Sequence, residues 1–185
     1  MAAPTLSPPA TIADYEALDD PSGYELIDGV LKERHVSLLA NYVAGNIFFS
    51  VKGHSRVEGG HAFGENVELA IDPARPNTLL YKADGAWVAP GRIQGELPYR
   101  GYMRIPPDLV VEVISPTNSA AEVEAKLRDY LRLGVRMVWV VFPDIQAVSV
   151  YRPDGTTLRL EASDRLSGED VLSGFEVSVS EFFRP

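Results

Sequence analysis

The 185-residue chain has no cysteine. This excludes disulfide bridges, thiol nucleophiles and thiolate metal sites. Histidine is nearly absent. His35, His54 and His61 lack any HExxH-type spacing, so a histidine-built zinc centre is not indicated, and each reads as a surface or capping residue. There is no GxxxxGK[ST] or GxGxxG loop to cradle a nucleotide, and no GxSxG elbow to present a serine. No apolar run is long enough to suggest a membrane span. Residues 1–10 are rich in Ala and Pro and lack the basic start and apolar core of a secretory signal, so they read as a flexible N-terminal arm before one domain at 11–185. A cytoplasmic location is the default expectation.

Positive charge is also in short supply. Seventeen Lys and Arg face 26 Asp and Glu, for a net charge of −9. Phosphate neutralisation by Lys and Arg supplies most nonspecific affinity for nucleic acid, so DNA is a disfavoured partner unless a local basic patch or a metal ion offsets the field at one face. Two stretches could form such a patch: Arg92, Arg100 and Arg104, and Lys126, Arg128, Arg132 and Arg136. Each of these cations could equally lie on a solvated face. A hydrophobic fraction of 45% and a charged fraction of 23% are ordinary for a globular protein.

The apolar pattern predicts a mixed α/β fold. Thr11 caps a short helix to about residue 19, and Pro21, Ser22 and Gly23 end it. Residues 24–27 and 30–33 flank Asp28-Gly29, a favoured type I′ hairpin turn. Leu39, Val43, Ile47 and Val51 recur every four positions, which predicts a helix over 37–52 with Gly53 ending it. Strands are expected at 66–71 and 79–88, a loop at 89–107, and a strand buried on both faces at 108–114. A helix capped by Asn118 or Ser119 should run to Leu133, with another buried strand over 135–142. That run is a βαβ unit, whose strands should be parallel. A second hairpin is expected over 148–160, and a short helix from Ser180. The expected fold class is therefore a mixed β-sheet flanked by helices, with N- and C-terminal β-hairpins. Exposed apolar residues on the hairpins could pair two copies as a homodimer.

One residue breaks the pattern. Glu112 interrupts the apolar run Leu109-Val110-Val111-Glu112-Val113-Ile114. An unpaired buried charge costs several kcal/mol, so Glu112 asks for a cation unless it lies on a solvent face. Lys126, in the next helix, is one candidate; a metal ion is another. Asp84, in Lys82-Ala83-Asp84-Gly85, lies in the preceding strand pattern. Carboxylates on neighbouring strands can stand opposite one another, within reach of one hard cation such as Mg²⁺ or Mn²⁺. A metal there would activate water, and a lysine would orient that water or neutralise developing charge. Asp108 shares a face with Glu112 but is displaced by about 13 Å along the strand, at a rise of about 3.3 Å per residue. It reads instead as a strand-entry residue accepting backbone N–H bonds. Asp84 could also cap a bulge beside Gly85, and Lys126 could be an exposed helix cation. Tyr130 and Trp139 read as core residues.

The ordered set Tyr24-Glu25-Leu26-Ile27-Asp28-Gly29, Lys82-Ala83-Asp84, Pro107-Asp108 through Ser115-Pro116, Lys126-Leu127, Tyr130, Gly134-Val135 and Val138-Trp139-Val140-Val141 resembles a large bacterial family catalogued as putative restriction endonucleases, formerly a domain of unknown function. That family belongs to the PD-(D/E)XK nuclease-like superfamily. The resemblance spans about residues 11–183. It implies a restriction-endonuclease-like α/β core and a divalent metal, with hydrolysis of DNA phosphodiester bonds. By position, Asp84 matches the Asp of the PD element and Glu112 the (D/E), both as metal ligands. Lys126 matches a catalytic lysine that has moved from the strand to the following helix. Glu25 matches an acidic residue near the N-terminus of such folds that contacts metal or water, although a solvent-facing hairpin position is equally open to it. Three departures stand out. Ala83 replaces the Pro of PD, Ile114 occupies the strand position of the lysine, and Asn41 stands where the family has a His. The alternative reading is a non-catalytic binding or assembly module that retains the fold.

Overall fold

The computed structural model describes residues 8–95, 97 and 101–184. Its elements, in chain order, are α1 (Ile12–Glu16), β1 (Tyr24–Ile27), β2 (Val30–Glu33), α2 (Leu38–Glu58), β3 (His61–Phe63), β4 (Val67–Leu69), β5 (Tyr81–Ala83), β6 (Gly85–Val88), β7 (Leu109–Val113), α3 (Ala120–Arg132), β8 (Met137–Phe142), β9 (Ala147–Tyr151), β10 (Thr157–Leu160), β11 (Arg165–Ser167) and β12 (Glu176–Ser178). Six strands form the main sheet in the order β10-β9-β8-β7-β6-β3. Within it only β7 and β8 run parallel, because α3 carries the chain back across the sheet between them. Three two-stranded sheets surround it: β1–β2, β4–β5 and β11–β12.

Alternation along β7 sends side chains to two different cores. Leu109, Val111 and Val113 pack with Trp139, Val141, Val148 and Val150 against Ala40, Val43, Ile47 and Val51 of α2. Val110 joins Val138 and Val140 against Tyr130 and Leu127 of α3 and Tyr81 of β5. The period of two therefore places Glu112 on the α3 side. A third cluster, Ile12, Tyr15, Leu26, Ala70 and Leu80, seats α1 and β1.

Local signals explain most element ends. Thr11 and Asp14 form a capping box on α1, as do Ser119 and Glu122 on α3. Asp28 and Gly29 have φ of 50° and 76°, as a type I′ turn requires. Residues 1–7 of the expected arm lie outside the described residues, while the Ala10 N–H donates to the Gly29 carbonyl at 2.8 Å.

Several expectations need correction. Gly53 does not end α2. The helix continues to Glu58 and stops at Gly59, whose φ is 87°. A helical Gly costs only about 1 kcal/mol. The last turns are held by buried Val51 and by the Ser55 hydroxyl, which accepts the Trp87 indole N–H at 2.9 Å. The strand expected over 79–88 is broken at Asp84 into β5 and β6, which belong to different sheets. The second hairpin forms as expected from β9 and β10, and β9 also pairs with β8 and so extends the main sheet. The three-residue strands β3, β11 and β12 are too short for a period-two signal to register.

An ionic knot around buried Asp72 fixes α3 against β5 and the segment between β4 and β5. Asp72 accepts hydrogen bonds from the Ala74 N–H at 2.9 Å, Arg75 Nε at 2.9 Å and Arg132 at 2.8 Å. Arg75 also reaches Asp129, which accepts the Tyr81 hydroxyl at 2.8 Å. Burial alone would raise the Asp72 carboxyl, but these donors outweigh it and hold it down to about 2. A carboxyl held below its ordinary 3.8 stabilises the fold above that value, and the contribution disappears as pH falls through about 2. Asp72→Asn should therefore lower Tm near neutral pH. Its deficit relative to the parent should shrink between about pH 4 and pH 2 in thermal melts. A deficit that stays constant over that range would contradict this account.

Candidate active site

Asp84, Glu112, Lys126 and Glu25, separated by up to 101 residues in sequence, line one cavity of about 180 Å³. Each arrives from a different part of the fold. The antiparallel pairs Gly85–Val111 and Ala86–Val110 set a register that puts Asp84 beside Glu112. Asp84 sits in the break between β5 and β6. Its carboxylate takes the place of a strand partner, with Oδ2 accepting the Val113 N–H at 2.7 Å. Lys126 and Tyr130 are four residues apart on α3 and so share the face turned to the sheet. Glu25 comes from β1, and its Oε1 accepts the Lys82 N–H at 2.6 Å.

The electrostatics are tightly coupled. Lys126 Nζ donates to Glu25 Oε1 at 2.6 Å and lies 3.6 Å from Glu112 Oε2. The Tyr130 hydroxyl donates to the other Glu112 oxygen at 2.7 Å. Burial pushes Glu112 up to about 7, against the pull of Lys126, and Asp84 and Glu25 add to the rise. Burial works against the Lys126 charge too, but Glu112 and Glu25 outweigh it and hold the ammonium above its ordinary value. Arg34 completes the cluster. It donates to Asp84 Oδ1 at 3.0 Å, and its Nε is 3.9 Å from Glu25 Oε1. An exposed pair, Lys32 and Glu122, meets at 3.1 Å on the cavity wall.

The sequence model of the Uma2 family, described as "Putative restriction endonuclease", matches residues 12–180. The chain belongs to this family. It also shares its fold with a solved structure described as a putative nuclease belonging to DUF820 from Anabaena variabilis. The TM-score is 0.77 at 21% identity, covering 95% of this chain and 98% of the other. No curated protein gives a significant match. The mixed sheet flanked by helices is thus the fold expected from the sequence, and the family is the one it resembles.

Most of the remaining candidates from the sequence fall elsewhere. Asp108 lies away from the cavity and ties the strand entry, accepting the Ala89 N–H at 2.8 Å and Arg92 at 2.6 Å. The two stretches that could have formed a basic patch are largely neutralised among the described residues. Arg92 and Arg136 pair with Asp108, and Arg132 pairs with Asp72 and Asp129. Arg104 stacks over Tyr102 at 5.9 Å, and Arg100 lies outside the described residues. Asn41 does not line the main cavity; it bonds Glu65 at 2.7 Å. His35 lines the cavity but is exposed, His54 sits edge-on to Phe175, and His61 is in β3. Among the described residues, no helix is long and apolar enough to cross a membrane.

Two residues of the cluster are not marked as site residues by the sequence. Tyr130 reads as core, and it is fully buried, but its hydroxyl is spent on Glu112. Its spacing of four from Lys126 was the available clue. Arg34 follows a hairpin strand and has no periodic partner; only the tertiary approach of β2 to the β5–β6 break gives it a role.

The donors suit a hard divalent ion. Asp84 Oδ1 and Glu112 Oε2 both belong to groups that face the cavity, and their protein partners are cations at 3.0 and 3.6 Å. All are oxygen donors, as Mg²⁺ and Mn²⁺ prefer. Among the described residues no three or more His, Cys, Asp or Glu converge as a metal cage. A carboxylate pair is nevertheless the usual protein share for Mg²⁺, which keeps several waters or takes substrate phosphates. Restriction-endonuclease-like families generally use divalent metal ions.

Proposed function

We propose that this chain hydrolyses phosphodiester bonds in DNA with a divalent metal, Mg²⁺ or Mn²⁺, held by Asp84 and Glu112. The observation that carries the reading is the convergence of Lys126 with Glu25 and Glu112 at a cavity that Asp84 also lines. When bound, the ion supplies a Lewis acid that stabilises charge on the phosphoryl oxygens. The protein supplies the rest. Lys126 presents a fixed ammonium, which orients a water molecule and balances negative charge as it develops. Glu25 aims that ammonium through its 2.6 Å bond, and Tyr130 fixes the Glu112 carboxylate from behind.

The reading is tested by incubating the purified chain with plasmid DNA and Mg²⁺ or Mn²⁺. Nicked or linear product should form, should cease on chelation, and should be absent with Asp84→Asn. Equal cleavage by parent and variant, or none by the parent with either ion, would overturn it. The net charge of −9 and the paired arginines favour the second reading, a binding or assembly module that has kept the nuclease fold. That module would bind its partner with or without metal and leave DNA intact.

A further inference from the structure

We propose that Arg34 is a resident counter-ion on Asp84 which an incoming divalent cation must displace, so that this side chain sets the metal affinity of the site. The inference rests on Asp84 and Glu112 being the metal ligands. Arg34 is held by residues from three other parts of the chain. One terminal nitrogen donates to Asp84 Oδ1 at 3.0 Å, the other to Asn66 Oδ1 at 2.9 Å, and Nε lies 3.9 Å from Glu25. Its side chain is only 12% exposed. Asp84 Oδ2 accepts the Val113 N–H and Oδ1 accepts Arg34, so the guanidinium sits on the carboxylate oxygen that the backbone leaves free.

Charge explains why a cation belongs there. Among the described residues, the ion-pair partners of Glu25, Asp84 and Glu112 are Lys126 and Arg34. Without Arg34, the Asp84 carboxylate would be buried with no cationic partner among the described residues, which is strongly unfavourable. Guanidinium cannot shed its proton in a protein, so it leaves Asp84 by moving and not by neutralising. There is space for that movement. Arg34 also lines an adjoining cavity of about 200 Å³, with Asn41, Asn66 and Glu65 on its walls. Arg34 and Asp84 line both cavities, and the second holds the Glu65 carboxylate and the Asn66 amide that Arg34 already meets.

The test measures Mn²⁺ binding by calorimetry or electron paramagnetic resonance for the parent and Arg34→Gln. The variant should bind about tenfold or more tightly, since loss of a competing charge worth about 1.4 kcal/mol changes affinity tenfold. A merely structural arginine would leave affinity unchanged or weaken it. If the parent binds and Arg34→Gln binds no more tightly, the counter-ion role is overturned while the ligand assignment stands. Should Arg34→Gln not fold, the parent decides. The side-chain Nε–Hε resonance of Arg34 should shift on Mg²⁺ saturation, and the shift should vanish in Asp84→Asn. A resonance that stays put at saturation overturns the proposal. If neither the parent nor the variant binds either ion, the ligand assignment fails and the counter-ion role fails with it.

Discussion

Replacing Lys126 is expected to lower DNA cleavage by about 10²–10³-fold, the typical loss when one preorganised charge-stabilising donor is removed. The ammonium lies close to both Glu25 and Glu112, at 2.6 and 3.6 Å. Its Nζ also lies 5.7 Å from the centre of the Tyr81 ring of β5, and the side chain is 13% exposed. Lys126→Ala therefore removes packing as well as charge. It also leaves two buried carboxylates short of a partner, a change that can cost about 3–5 kcal/mol in stability. Lys126→Met keeps the stem and isolates the charge. The variant should retain native circular dichroism at the assay temperature, keep near-parental DNA binding, and lose turnover. A folded Lys126→Met that cuts within about twofold of the parent would remove lysine from the mechanism, because such a loss is far below the range for a charge-stabilising donor.

The second large effect concerns the floor beneath the site. Trp139 lies in β8 directly opposite Val111 of β7, the residue before Glu112. It is fully buried, packs its ring 5.6 Å from that of Phe175, and directs its indole N–H toward Met137 sulfur at 3.0 Å. Trp139→Ala should cost about 3–5 kcal/mol, the usual range for emptying an aromatic core position. For a chain of this size that corresponds to a fall in Tm of about 6–20 °C by differential scanning calorimetry. Trp139→Phe keeps a ring in the core and loses much less. A change below about 1 kcal/mol for Trp139→Ala, well under the usual range, would mean that the site is supported from elsewhere.

The sequence made much of this site legible because burial and charge conflict there. A carboxylate inside a β-strand that is apolar on both sides demands a partner, which points to Glu112 and then to Lys126 in the next helix. Asp84 follows because carboxylates on neighbouring strands can stand opposite one another and because its position matches the family's pattern. Arg34 and Tyr130 are different in kind. Arg34 looks like any hairpin-exit cation, since its approach to Asp84 depends on how the β1–β2 sheet docks. Tyr130 has the apolar spacing of a core residue, and its hydroxyl partner is fixed only by packing. The same limit applies to the fold. The βαβ unit is written in periodicity and caps, whereas the switch of sheets at Asp84 and the attachment of β9 to β8 are decided by long-range pairing.

The Asp84 carboxylate, stitched to the Val113 N–H at the point where the chain leaves one sheet for another, restricts which side chains the position can accept. A glutamate would keep the negative charge, but its extra methylene would carry the carboxylate past the amide it now satisfies. An asparagine could still satisfy that amide but would offer no charge to a cation. The shortest acid meets both demands: backbone geometry sets the side-chain length, and the proposed metal site would require the charge.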